Sequence, residues 1–171
     1  MANISTRRIV LCALFSALTT VATMVIQIPS PMSGYVNLGD VFVLFGAFAL
    51  GPLLGAVSAG LGSALADVLT GYVIYAPATL IIKAGMALIV LFVYKALKKL
   101  IKTDIVSVVI ASIVSELFMV LGYFLFACLI MGKGLSAAAS IPGNLVQGVF
   151  GVVLSSVLYG IFIKSNLFNR P

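Results

Sequence analysis

Three acids and a lysine stand inside or at the edge of long apolar runs of this chain: Asp40, Asp67, Glu116 and Lys83. An ionisable group in hydrocarbon costs at least about 2.5 kcal/mol on the most lenient scale, so each needs a partner or a water-filled cavity. Around them in the sequence lie Asn37, Asn144 and Gln147, which both donate and accept, and the rings of Tyr35, Tyr72, Tyr75 and Tyr123. One cation, several acids, amides and aromatic walls suit the binding of a compact polar heterocycle carrying ring nitrogens and hydroxyls. The same set specifies no reaction. No phosphate-binding loop of the Gly-x-x-x-x-Gly-Lys-[Ser/Thr] type, no His-Glu-x-x-His and no serine nucleophile elbow is present, and the chain has no histidine. Glu116 alone, without a second catalytic group or a metal cluster, defines neither a substrate nor a step. No cofactor is expected.

Spacing brings these residues onto common faces. Ser112, Glu116, Met119 and Tyr123 share one helical face, and Asn144, Gln147, Gly151 and Ser155 share another. Gly51, Gly55, Ala59, Ser63 and Asp67 recur every four residues, a stripe that allows close helix packing at one end and a polar site at the other. A purely structural alternative has Lys83 neutralising Asp67 or Glu116 while the amides tie helices together. Two acids competing for one lysine, with amides and tyrosines to spare, favour a site.

The elements that must position these residues are membrane helices. The chain has 171 residues, 63% of them hydrophobic and 8% charged, with mean hydropathy +1.28. A soluble core of this size could not hide that much apolar surface. The apolar runs are continuous rather than alternating, which implies helices and not a barrel. Expected spans are about 8–27, 52–70, 77–97, 105–131 and 141–163, with a sixth, shorter helix before Gly51-Pro52. Charge argues for a turn at that dipeptide. A single span over 41–69 would put Arg7 and Arg8 on the opposite side from Lys95, Lys98, Lys99 and Lys102, against the positive-inside rule. Pro52 suits the first turn of a new helix, where its missing N–H costs nothing. The helix before the turn rises only about 20 Å, so the preceding loop must dip into the membrane or the helix must start before Asp40.

The expected fold is therefore an all-α integral membrane protein of six transmembrane helices in one domain over 1–171, with both termini cytoplasmic. Eight basic residues (Arg7, Arg8, Lys95, Lys98, Lys99, Lys102, Lys164, Arg170) fall on one side and Lys133 in an outer loop. The net charge of +6 reads as a topology signal, not as a nucleic-acid footprint. The run 9–28 reads as a span rather than a cleaved signal. Cys12 and Cys128, both in apolar runs, are expected to be unpaired. Asp40 is read as a cap on the second helix. Ala13 and Ala17 form a small-xxx-small pair that lets another helix approach.

The segments NLGDVFVLFGAFALGP (37–52), AGLGSALADVLTGY (59–72), APATLIIKAGMALI (76–89), SELFMVLGYF (115–124) and IPGNLVQG (141–148) resemble the substrate-binding S components of energy-coupling factor (ECF) transporters. The likeness is closest to the branch that includes riboflavin-type and hydroxymethylpyrimidine- or pyridoxine-type proteins. It implies a subunit in a prokaryotic cell membrane that captures a vitamin or vitamin precursor outside. That subunit docks on a transmembrane coupling subunit served by two ATPase subunits. It also implies that Lys83, Glu116, Asn144 and Gln147 contact the ligand in the outer half, that Ala13 and Ala17 contact the coupling subunit, and that the loop 29–38 gates the pocket. Asn37, Asp67, Tyr72 and Tyr123 complete the expected site. The alternatives are a solitary gradient-driven carrier and a small membrane enzyme using Glu116 and Lys83.

Overall fold

The computed structural model describes residues 5–29 and 34–163. Six α-helices follow in order: α1 (Thr6–Val25), α2 (Gly39–Leu50), α3 (Pro52–Leu69), α4 (Ala76–Leu97), α5 (Asp104–Leu125) and α6 (Ile141–Leu158). Between α1 and α2 a two-residue hairpin pairs β1 (Ile28–Pro29) antiparallel to β2 (Tyr35–Val36), with Ile28 opposite Val36. Turns of π-helix extend α5 (Phe126–Ile130) and α6 (Tyr159–Ile163), and a 3-10 turn (Gly134–Ser140) leads into α6. The loop expected around Lys133 is thus partly helical. Lys164, Arg170 and residues 30–33 of the gating loop lie outside the described residues.

Five of these helices are long and apolar enough to cross a membrane; α2 is not. Its twelve residues rise only about 18 Å, and nine of them are buried. It packs on α1, α3, α4 and α6 at once. A helix enclosed by protein need not reach both membrane faces, because its end groups can be satisfied inside the bundle. At the α2–α3 corner Gly51 takes φ +80°, its N–H bonds to the Ala47 carbonyl at 2.9 Å, and Pro52 opens α3. Arg8 Nη2 donates to the Leu50 carbonyl at 2.6 Å, so a cation closes the carbonyl end of α2. The turn read from charge is present.

Polarity is inside out relative to a soluble bundle. Large apolar residues such as Phe92, Leu61, Leu117 and Val149 face outward, while serines, threonines and ionisable groups are buried. The small residues of α3 set the helix spacing: a Cβ at Gly55 would meet Ala47 Cα of α2 at 2.8 Å, and one at Gly60 the Leu80 carbonyl oxygen of α4 at 2.8 Å. An apolar layer of Val43, Leu44, Met86, Val90, Ala111 and Met119 fills the middle. At the lysine-rich end, the Tyr94 and Tyr159 hydroxyls meet at 2.9 Å, Tyr94 donates to Asp104 at 3.0 Å, and Lys98 pairs with Asp104 at 2.6 Å. Polar groups at the hairpin end are arranged differently, around a cavity.

Candidate functional site

The cavity, of about 50 Å³, lies beneath the hairpin. Six of the eight expected binding residues line it: Asn37, Asp67, Lys83, Tyr123, Asn144 and Gln147. Thr23, Ser63, Tyr75, Thr79 and Ser140 line it as well. Each long helix sends a polar side chain from its hairpin-end half, that of α5 being Tyr123.

Lys83 does not pair with Asp67 or Glu116. Its partner is Asp40 of α2, one carboxylate oxygen of which takes the Lys83 ammonium. The other oxygen accepts from Gln147 Nε2 at 2.6 Å. Gln147 Oε1 in turn accepts from the Asn37 backbone N–H at 2.8 Å and from Asn37 Nδ2 at 3.2 Å, and Asn37 Oδ1 accepts from the Gly39 N–H at 2.8 Å. The expected capping role of Asp40 is therefore corrected. It makes no cap bond, and at 0% exposure it is the centre of a network joining α2, α4, α6 and the segment behind the hairpin. The physical reason is that a buried ammonium needs a charged partner at its own depth, and Asp40 supplies it where α2 begins. The Asn37 side chain, one residue before the N-cap, takes the first N–H of α2.

Asp67 holds the hairpin. Its Oδ1 accepts from the Tyr35 hydroxyl at 2.5 Å, and the Tyr35 ring packs on Tyr72 with centroids 4.5 Å apart. Tyr72 thus supports the hairpin and does not line the cavity. Burial, then the Asp67 carboxylate, push the Tyr35 phenol well above its ordinary range, so it stays a donor. Gln27 Nε2 adds a 3.2 Å bond to Thr70 Oγ1. On the opposite wall Tyr123 donates to Thr79 Oγ1 at 3.0 Å, and its ring sits 5.5 Å from Lys83 Nζ.

Glu116 is also outside the cavity lining. It is 4% exposed, lies against Gly148 and Gly151 of α6 and beside Asp40, and neither of its oxygens has a hydrogen-bond partner. Ala13 and Ala17 are exposed on α1, on the side away from buried Cys12, Phe15 and Thr19. Cys12 and Cys128 are free.

A cavity closed by a short hairpin and walled by buried polar groups within a six-helix membrane bundle is the arrangement of a membrane-embedded capture protein. The model of the ECF-type riboflavin transporter S component family matches residues 3–164. This chain belongs to that family. It is similar to the thiamine precursor transporter HmpT of Lactococcus lactis subsp. cremoris, with 31% identity over 172 residues, 99% of this chain and 95% of HmpT. An uncharacterized protein of Pyrococcus woesei, described as lying in the gap 3' region, is 36% identical over 149 residues, 86% of this chain and 95% of the relative. The solved structure of the S component of a bacterial ECF transporter superposes with a TM-score of 0.68 at 25% identity, covering 96% of this chain and 98% of that one. The chain is thus a multi-pass prokaryotic membrane protein and a vitamin-uptake binding subunit, not an enzyme.

Proposed function

We propose that this S component binds a vitamin precursor of the hydroxymethylpyrimidine or pyridoxine type, with riboflavin as the second choice. In this reading it delivers the precursor through an ECF transmembrane coupling subunit driven by two ATPase subunits. The observation that carries the ligand choice is the cavity itself: about 50 Å³ suits a single ring better than riboflavin's three fused rings and ribityl chain. The likeness to a thiamine precursor transporter supports the same choice. The hairpin end faces outward, because Arg7, Arg8, Lys95, Lys98, Lys99 and Lys102 flank the opposite ends of their helices. Asn144 presents its amide to the ring from α6, Tyr123 offers a stacking face, and the Lys83–Asp40 pair, held in place by Gln147, forms the floor. Glu116 acts from beneath that floor.

The exposed Ala13–Ala17 face of α1 is the contact for the coupling subunit, since small side chains let a partner helix approach closely. Mass spectrometry of the small molecule retained by detergent-purified protein tests the ligand. A single-ring pyrimidine or pyridine supports the reading, and retained riboflavin refutes the first choice. Co-purification with a coupling subunit and ATPases tests the partner assignment. Ligand uptake in cells lacking those subunits would instead establish a solitary carrier.

A further inference from the structure

The Lys83–Asp40–Gln147–Asn37 chain consumes the polar groups of one wall on one another. Other polar groups of the lining are not so engaged. Asp67 Oδ2, Ser63 Oγ and Thr23 Oγ1 all belong to residues lining the cavity, all three residues are at least 97% buried, and none of these atoms has a hydrogen-bond partner. Ser63 and Asp67 are four residues apart on α3, one above the other about 6 Å apart along the axis. An unpaired buried carboxylate oxygen calls for a donor, and a hydroxyl beside it can either donate or accept. The Lys83 ammonium is committed to Asp40.

We infer that Asp67 is the specificity-determining residue of the site and reads an amino group on the ligand ring. Its Oδ2 accepts the amino N–H, while the Ser63 hydroxyl meets the adjacent ring nitrogen. The ligand class is an aminopyrimidine-like ring, one whose edge presents a donor next to an acceptor. The same residue also couples ligand to lid, because Asp67 Oδ1 holds the Tyr35 hydroxyl of β2. One carboxylate therefore bonds the ring with one oxygen and the hairpin with the other.

This inference rests on the single-ring reading above, and the test separates the two. Calorimetry on detergent-purified protein would compare 4-amino-5-hydroxymethyl-2-methylpyrimidine with its 4-methoxy counterpart. The wild type is expected to favour the amino compound by at least roughly 100-fold, because the methoxy compound has no N–H on that edge and leaves Oδ2 unpaired. In Asp67→Asn the preference should shrink to within about 10-fold, since the amide N–H can donate to the methoxy oxygen. Tyr35→Phe keeps the stacking on Tyr72 and should retain the preference while speeding ligand dissociation about 10-fold. Equal binding of both compounds by the wild type overturns the inference and leaves the single-ring reading standing. So does undiminished preference in a folded Asp67→Asn protein. Binding of neither pyrimidine refutes the ligand reading and the inference with it. Unchanged dissociation in Tyr35→Phe refutes the coupling to the lid.

Discussion

Replacing Asp40 with Asn removes one charge and almost no volume, which makes it a sharp probe of the polar floor. An Asn oxygen can still accept from Gln147 Nε2, now at 2.6 Å from the carboxylate. Its amide nitrogen would then face Lys83, donor against donor, and the ammonium would be left buried at 3% exposure without its counter-charge. Breaking a buried pair by removing one partner costs about 3–5 kcal/mol, most of it from the stranded charge. For a chain of this length that corresponds to a fall of roughly 6–20 °C in midpoint on the globular-protein scale. Thermal unfolding in a fixed detergent would read it. The double variant Asp40→Asn with Lys83→Met removes both charges and should recover most of the loss, because an apolar replacement is close to neutral once no charge remains. A single variant within about 0.5 kcal/mol of wild type, or a double variant no more stable than Asp40→Asn, would refute the assignment of Asp40 as the partner that Lys83 requires.

A bulky residue at Ala13 or Ala17, such as Trp, should abolish uptake in the presence of the coupling module while ligand binding by the isolated subunit stays unchanged; weakened binding would place this face in the pocket instead. At Gly62→Ala the new methyl would sit 2.5 Å from the Ser16 carbonyl oxygen and 2.9 Å from Thr19 Cβ. The α1–α3 contact must then open at a cost of about 1–3 kcal/mol by thermal unfolding, whereas the same change at Gly71, with nothing within 4 Å but φ +87°, strains only a turn. Tyr35 stays protonated to higher pH when folded than when unfolded. Its contribution to stability is therefore fully present below about pH 10 and lost as pH rises above it. The stability gap between wild type and Tyr35→Phe should shrink between pH 9 and 11, and a gap that widens would contradict the raised phenol.

The helices were legible because membrane segments announce themselves by continuous apolarity. The α2–α3 corner was legible because Gly51-Pro52 and the lysine distribution agree. Asp40 was not, since an acid at a helix start has a capping explanation that needs no tertiary structure. Its real partner, Lys83, is 43 residues away. The depth of Lys83 held the missing signal: three acids and one lysine in the hydrocarbon leave one acid to be chosen, and only a depth comparison chooses it. The lining hydroxyls of Thr23 and Thr79 were missed for a related reason. A Thr in an apolar helix usually bonds its own i−4 carbonyl, as Thr19 does with Phe15 at 2.8 Å, so nothing in the sequence marks those that do not. The hairpin, two residues per strand and broken by Pro29, has no periodicity to read.

The short second helix is what makes room for the site. From their shared corner at Gly51, α2 runs twelve residues and α3 eighteen, so α3 rises about 9 Å higher. Counting outward from the corner, Asp40 comes level with Gly62, just below Ser63, and Asp67 stands more than one turn above it. The charged floor therefore sits where α2 stops, the unpaired Asp67 oxygen sits on the wall that continues, and the volume between is closed from above by β2 through Tyr35. Had α2 continued for one more turn toward the hairpin, its side chains would occupy that volume, and Asn37 could not turn back to bond Gln147. The bend at Asn37 and the binding cavity thus have one cause: α2 ends where Lys83 needs a counter-charge, at Asp40.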